Sequence, residues 1–365
     1  MGRLPVLLVV GASPLLAAAC ASLVGFPDVP NRDESSGEGG PESSDGSSGS
    51  NPESGSGSSG LGSSASSGAS SGSGSSGSSS EASVENDTGP TDSSSGTTVM
   101  TTGSPPTLPV AMGPCPAIAT GMITVSGHMV QIWAGKKAAK GAPLLFYWHG
   151  TGSSASEAMS IMSPQISEIT GEGGVVASFT DSTATGQDTG NAVWYTGDFA
   201  MADQILACAV QQLNIDTRQI YTAGCSAGGL QVGAMVFARS TYIAAGMPNS
   251  GGEITAGAYP LQGPHVPSLI TTHGKMGTDV VVLDFATASM TADKDVAGHG
   301  GFVVDCNHGG GHCGAPANDI AAQWQFCKDH PFGVSPEPYA SGLPSSFPTY
   351  CTVITSSTGQ SPGAG

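Results

Sequence analysis

Basic residues are scarce in this chain, and so are charges of any kind. Only 10 of the 365 residues are lysine or arginine, against 28 aspartates and glutamates, and the formal net charge is −18. Affinity for nucleic acids depends on Lys and Arg contacts with phosphates. The charge balance therefore argues against nucleic acid as a partner.

No apolar run is long enough to suggest a transmembrane helix. The N-terminal run, Leu4 to Leu16, is too short for that. It follows a short positive start and ends in Ala17-Ala18-Ala19-Cys20, so it predicts a signal peptide over residues 1–20. A cysteine after three alanines resembles a bacterial lipoprotein processing site. We therefore expect export, with a lipid on Cys20 anchoring the protein to the outer surface of a membrane. Leucine lies one place further out than in the usual lipoprotein signal, which leaves ordinary secretion open.

Large apolar residues are almost absent from residues 21–108, which are rich in serine and glycine. Such a segment cannot bury enough surface to order itself, so it predicts a disordered tether. Residues 356–365 are predicted to be a disordered tail. The remaining stretch, 109–355, has the size of one domain.

Strand-like and helix-like segments alternate within residues 109–355. This alternation predicts an α/β domain with a mostly parallel sheet covered by helices on both faces. The predicted strands are Met122–Val125, Val130–Trp133, Leu144–Trp148, Val175–Phe179, Ile220–Ala223, Leu269–Thr272 and Phe302–Val304. The predicted helices are Ala155–Ile169, Phe199–Leu213, Leu230–Arg239 and Ile320–Lys328.

The most informative motif is Gly224-Cys225-Ser226-Ala227-Gly228, which contains G-x-S-x-G between a predicted strand and a predicted helix. This context is typical of the sharp turn that exposes a serine nucleophile in α/β-hydrolases. The alternative is a glycine-rich turn with an accidental serine. Upstream, a buried strand leads into His149-Gly150-Thr151. We expect the backbone N–H groups of Thr151 and Ala227 to form an oxyanion hole, and His149 to be structural.

A serine nucleophile needs a base and an acid, and both have candidates further along the chain. Asp279 follows a predicted strand and is the favoured acid, with Asp284 as its competitor; either could instead be a solvated carboxylate or a helix N-cap. His312 lies in a glycine-rich loop after the last predicted strand and is the favoured base, with His308 as the nearest rival. The predicted triad is Ser226, His312 and Asp279.

These motifs resemble the secreted feruloyl esterases and poly(3-hydroxybutyrate) depolymerase-like esterases of the α/β-hydrolase superfamily. The resemblance covers about Pro109 to Cys351. It implies a single α/β-hydrolase domain that cleaves carboxylic esters, namely feruloyl or acetyl esters of plant polysaccharides or hydroxybutyrate polyesters. It implies no cofactor and no metal, and we expect a monomer. A catalytically inactive binding module, a peptidase and an acyltransferase remain alternatives.

The cysteine neighbours of Ser226 and His312 resemble a tannase-type arrangement, in which a disulfide joins the nucleophile and base segments. The adjacency and the predicted export make a Cys225–Cys313 disulfide our sharpest expectation. Tannases carry a large lid domain between nucleophile and acid, whereas the segment here is too short for one. We therefore expect an open site that can accept a bulky or polymeric ester.

The other cysteines and the aromatic residues leave alternatives open. Cys208 lies on an apolar helix face and is a candidate free thiol, while no pairing can be deduced for Cys115, Cys306, Cys327 and Cys351. A zinc site is the minor alternative for the loop whose four candidate ligands are Cys306, His308, His312 and Cys313. Trp148, Trp194 and Tyr195 are candidate walls for the substrate, with core packing as the alternative for each.

Overall fold

The computed structural model describes residue 101 and residues 103–183 and 194–355. The predicted signal peptide, the lipidation site at Cys20, most of the predicted tether and the predicted tail lie outside the described residues. No helix in the described part is long and apolar enough to cross a membrane.

The described residues form one nine-stranded sheet. Its strands are β1 (Gly121–Val125), β2 (His128–Ala134), β3 (Ala142–Trp148), β4 (Val175–Phe179), β5 (Ile215–Cys225), β6 (Ala245–Asn249), β7 (Ser268–His273), β8 (Val303–Asn307) and β9 (Cys351–Ile354). They lie in the order β1-β2-β4-β3-β5-β6-β7-β8-β9. The six strands from β4 through β8 in this order run parallel, while β1, β2 and β9 pair antiparallel at the two edges.

Helices cover both faces of this sheet, as the sequence predicts. They are α1 (Glu157–Gly171), α2 (Phe199–Gln212), α3 (Ala227–Ala238), α4 (Phe285–Gly298) and α5 (Ala317–Asp329). Alternation along β3 shows the two layers: Leu144 and Phe146 join one hydrophobic cluster with α2, α3 and α4, while Leu145 and Tyr147 join another with α1 and α5. Strand β3 is buried throughout because both of its faces meet helices.

An extended segment precedes the sheet and packs along α2. Glutamine side chains of α2 hold its backbone, among them Gln212, whose side-chain oxygen accepts from the N–H of Ile118 at 2.9 Å. A disulfide joins Cys115 of this segment to Cys208, so the expectation of a free thiol at Cys208 is wrong. Among the described residues the free cysteine is Cys327, which is buried. The apolar face of α2 indicated burial of Cys208 correctly but not that another cysteine lies over it.

Described residues before position 109 contact the domain. Thr107 donates its backbone N–H to the carbonyl oxygen of Thr241, and Arg218 donates to the carbonyl oxygen of Gly103. Thr101 also forms a β-bridge with Val334. Residues 103–108, which the composition placed in the tether, therefore lie against the domain.

Candidate active site

Ser226 lies at the turn between β5 and α3, where the backbone is strained. Its φ of 59° and ψ of −121° place it in a region that non-glycine residues rarely occupy. The backbone N–H of Ser226 donates to the carbonyl oxygen of Asn249 at 3.1 Å, which ties the turn to the end of β6. The side chain is partly exposed and stands at the carboxyl end of the parallel strands.

Two glycines of the motif are required by the closeness of β3. A Cβ atom at Gly224 or at Gly228 would overlap the carbonyl oxygen of Trp148. Glycine at both positions lets the end of β3 approach the turn, which brings the segment after Trp148 beside Ser226. A Cβ at Gly150 would lie 3.3 Å from the Cβ of Ser226.

The His149-Gly150-Thr151 segment is fixed beside the serine by its own contacts. His149 is fully buried, and its ring nitrogens contact the carbonyl oxygens of Gly150 at 2.8 Å and Thr180 at 3.0 Å. Both ring nitrogens are thus engaged, which fits the structural role expected for His149. Thr151 is exposed, and Ala227 is the first residue of α3, where backbone N–H groups lack intrahelical partners.

A carboxylate that no motif indicated holds this segment. Glu157, at the start of α1, accepts from the backbone N–H of Gly150 at 3.1 and 3.2 Å and from the hydroxyl of Tyr147 at 2.9 Å. The N–H of Gly150 is therefore occupied. Ala227 directly follows Ser226, and Thr151 directly follows Gly150, so their N–H groups stay the proposed oxyanion donors.

Asp279 is buried in the loop after β7, and its carboxylate takes part in three hydrogen bonds. Its Oδ1 lies 2.7 Å from Nδ1 of His312, and its Oδ2 accepts from the N–H of Gly274 at 2.9 Å and from Ser250 Oγ at 2.8 Å. Burial by itself would raise the pKa of Asp279, but these donors outweigh it and hold the pKa below the ordinary value. Asp279 is therefore a carboxylate at neutral pH.

The competitor Asp284 has a different place. It is the N-cap of α4, where its side chain accepts from the backbone N–H of Thr287 at 3.2 Å and of Gly277 at 2.8 Å. Asp284 thus takes the helix-capping role that the sequence left open, and the structure brings Asp279, not Asp284, to His312.

His312 lies in the loop between β8 and α5, and its side chain is 21% exposed. The ring packs against the ring of Phe285, with centroids 4.3 Å apart. Because Nδ1 faces Asp279, Nε2 is the nitrogen left to exchange a proton. The rival His308 uses Nδ1 to accept from the N–H of Gly310 at 3.1 Å and makes no contact with a carboxylate in the described residues.

A disulfide between Cys225 and Cys313 joins the serine turn to the histidine loop, with the two Cα atoms 6.0 Å apart. Each cysteine adjoins one proposed catalytic residue. Within the described residues the hydroxyl of Ser226 makes no hydrogen bond, either to His312 or to any other group. Catalytic hydrogen bonds are often long before substrate binds. The disulfide therefore keeps the serine turn and the histidine loop close together, but the Ser226 hydroxyl and the imidazole do not form a hydrogen bond in this structure.

The two cysteines of the alternative zinc site are both in disulfides, so neither can bind zinc as a thiolate. Cys313 is bonded to Cys225, and Cys306 is bonded to Cys351 of the edge strand β9. The described residues also contain no group of three or more His, Cys, Asp or Glu side chains arranged to hold a metal ion.

Two of the three aromatic residues considered for substrate binding lie in the core instead. Trp148 is fully buried and stacks on Phe179 at 4.0 Å, and Trp194 is 2% exposed, with its Nε1–H donating to the carbonyl oxygen of His149. The two indole rings pack edge to face at 5.2 Å, and Trp194 also packs against His149 at 5.0 Å. This is the packing alternative that the sequence left open. Tyr195 is partly exposed and remains a proposed substrate contact.

Solved structures share this architecture at low sequence identity. A serine-to-cysteine variant of pOPH in complex with DMSO is 15% identical, covers 66% of this chain and 96% of its own, and has a TM-score of 0.50. A serine-to-alanine variant of pOPH with pNPB is 16% identical, with the same coverage and TM-score. No protein-family model and no curated protein sequence matches this chain significantly. Sheet order, helix layers and these likenesses together show that the chain has the α/β-hydrolase fold.

Proposed function

We propose that this protein is a serine hydrolase that cleaves carboxylic esters. One arrangement supports the proposal. Ser226 is strained and partly exposed at a strand-to-helix turn, and a disulfide joins this turn to the loop of His312. The imidazole of His312 in turn binds the buried carboxylate of Asp279. The nucleophile, acid and base follow one another in the chain order Ser226, Asp279, His312, which is the order of α/β-hydrolase triads.

The mechanism follows from these positions. Ser226 Oγ attacks the ester carbonyl while Nε2 of His312 removes the hydroxyl proton, and Asp279 stabilises the resulting imidazolium. The N–H groups of Thr151 and Ala227 bind the oxyanion. His312 then passes the proton to the departing alcohol, which leaves an acyl group on Ser226. Water, deprotonated by His312, releases the acid and restores the serine.

An apolar loop beside the acid favours an ester with an apolar acyl part. Residues Met276, Val280, Val281 and Val282 are between 41% and 57% exposed, and they flank Asp279 in sequence. Backbone hydrogen bonds from Thr278 and Asp279 to the carbonyl oxygen of Lys275 hold this loop in place. The segment between Ser226 and Asp279 forms only α3, β6, β7 and connecting loops, so no lid domain lies there. We propose that these exposed apolar residues line the substrate entrance, where they would suit a bulky or polymeric ester.

Turnover of p-nitrophenyl acetate tests the proposal. The native protein should hydrolyse it, and Ser226→Ala should abolish turnover, whereas Ser167→Ala, an exposed serine on α1, should not change it. Equal turnover by the native protein and Ser226→Ala would remove the nucleophile assignment. A folded native protein with no turnover of any ester would favour the alternative of an inactive binding module.

A substrate panel tests the finer proposal. Methyl ferulate, acetylated xylan and a hydroxybutyrate oligomer represent the three ester classes that the resemblance implies. The apolar loop leads us to expect the highest kcat/KM for the hydroxybutyrate oligomer or the ferulate. A clear preference for acetylated xylan would contradict a role for the loop in substrate choice.

We also propose export with a lipid on Cys20. The three disulfides of the described residues are compatible with an oxidising compartment. Cys20→Ser should move the protein from the membrane fraction to the medium or block its processing. A native protein found in the medium with its N-terminus at another residue would overturn the lipid anchor.

A further inference from the structure

Ser250 is a buried polar residue in a strained conformation that no sequence motif singles out. It follows β6 directly, is 0% exposed and has a φ of 43°. A non-glycine residue in this left-handed region costs free energy, which persists only where surrounding contacts fix it. The contacts of Ser250 therefore indicate why the strained conformation is kept.

The hydroxyl of Ser250 bridges two loops of the candidate site. Its Oγ donates to Oδ2 of Asp279 at 2.8 Å, and the same Oγ accepts from the backbone N–H of Cys313 at 2.8 Å. One hydroxyl can make both bonds, since it offers one donor and two acceptor lone pairs. Cys313 follows His312 directly, so Ser250 connects the acid to the backbone next to the base.

The backbone around Ser250 also contacts the turn that carries Ser226. The N–H of Ser250 donates to the carbonyl oxygen of Thr272 at 2.7 Å, and the preceding residue, Asn249, accepts from the N–H of Ser226 at 3.1 Å. Residues 249–250 thus contact the serine turn, the acid and the residue after the histidine. No other described side chain binds both Asp279 and the 312–313 backbone.

We propose that Ser250 is a positioning residue that holds Asp279 and His312 in register with each other. It touches neither substrate nor the reacting atoms, and it acts through the carboxylate and the histidine loop. This inference rests on the proposed hydrolase function. It adds a residue outside the triad on which kcat depends, because displacements of about 1 Å in a catalytic group cost on the order of a hundredfold in rate.

The test compares two variants of Ser250 with a matched control. Ser250→Ala removes the hydroxyl, and Ser250→Gly removes it while relieving the left-handed backbone. Ser289→Ala is the control, because Ser289 is equally buried and its Oγ donates to the carbonyl oxygen of neighbouring Gly251 at 2.9 Å without touching Asp279. Steady-state kinetics on p-nitrophenyl acetate and thermal unfolding are measured for each.

Both Ser250 variants should lose about ten- to a hundredfold in kcat, with KM within about twofold, below their unfolding transitions. Ser289→Ala should keep the native kcat even if its Tm falls. The proposal is overturned if folded Ser250→Gly keeps the native kcat, since the residue would then serve only the backbone. It is also overturned if Ser289→Ala loses as much kcat as Ser250→Ala. Loss of the proposed function itself would be visible separately, as activity that survives Ser226→Ala.

Discussion

Nδ1 of His312 lies 2.7 Å from Oδ1 of Asp279, with the carboxylate fully buried and the imidazole 21% exposed. Burial makes the carboxylate dependent on its hydrogen-bond donors, while exposure lets the other side of the ring meet a substrate. This pairing distinguishes the two candidate acids, because Asp284 caps a helix and contacts no histidine in the described residues.

Asp279→Asn should lower kcat by roughly 10³–10⁴-fold, because the amide favours the wrong imidazole tautomer and cannot stabilise its charged form. Asp284→Asn is the matched control. It should keep kcat and lose at most about 1 kcal/mol of unfolding free energy, since asparagine also caps helices well. Kinetics and urea unfolding of both variants provide the measurement, and an intact kcat in Asp279→Asn would contradict the assignment.

Removal of the Cys225–Cys313 disulfide should lower kcat by more than the accompanying loss of stability can explain. The cysteines are 88 residues apart, so the chain-entropy model gives an upper limit of about 4–5 kcal/mol for its contribution to folding. The Cys225→Ala/Cys313→Ala variant should lose kcat at temperatures where it remains folded, because Ser226 and His312 are no longer held in the same neighbourhood.

The Cys115→Ala/Cys208→Ala variant is the control for that experiment. Its disulfide closes a loop of similar length, with a separation of 93, but lies between α2 and the N-terminal segment. It should lose a comparable amount of stability and keep its kcat. Equal kcat losses in the two double variants would show that the Cys225–Cys313 bond serves stability alone.

The apolar loop should control preference for long acyl chains. Changing Val280, Val281 and Val282 together to serine should lower kcat/KM for a p-nitrophenyl ester of a long acyl chain by about tenfold, through lost apolar contact, and leave the acetate ester nearly unchanged. Met122→Ser, which alters an exposed methionine on the edge strand β1, should change neither. Equal losses on long and short esters would indicate damage to Asp279 instead.

Glu253 should make the protein less stable as the pH rises. Burial, and then the neighbouring Asp295, raise the pKa of Glu253 from 4.5 to about 9 in the folded protein. The folded state therefore keeps a proton that the unfolded state releases above about pH 4.5, so stability falls between these pH values.

Glu253→Gln removes this dependence, because glutamine resembles the protonated acid. The variant should be more stable than the native protein at pH 8, by on the order of 1–3 kcal/mol, and the difference should shrink toward pH 5. Urea unfolding across this range checks it. Parallel stability curves would show that Glu253 is ionised in the folded protein.

Much of the sheet was predictable because many of its strands are apolar runs in the sequence, such as Leu144–Trp148. Strand β6 escaped prediction since its sequence, Ala-Gly-Met-Pro-Asn, contains two residues that usually interrupt strands. It is tolerated in the sheet interior because its pairing with β7 skips Met247 and Pro248. Strand β9 is a four-residue edge strand and α4 has a mixed sequence of small and polar residues, so neither carried a clear periodic signal.

Some residues of the candidate site could be predicted from the sequence, and others could not. Ser226, Asp279 and His312 could be proposed because each follows a strand and lies in a recognisable local pattern. Ser250 and Glu157 could not be, since their importance comes from contacts made across the fold with Asp279, Cys313 and Gly150. The aromatic residues Trp148 and Trp194 illustrate the reverse, because sequence proximity to the motif does not reveal which way a side chain points.

Trapping a covalent adduct tests whether Ser226 is the nucleophile. The protein is incubated with an irreversible phosphonate ester, digested without reduction, and its peptides are mapped by mass spectrometry. We expect one adduct, on Ser226, in a peptide still disulfide-linked to the one containing His312 and Cys313. The Asp279→Asn variant should form this adduct much more slowly. An adduct on another residue, or none in a protein that hydrolyses p-nitrophenyl acetate, would show that Ser226 is not the nucleophile.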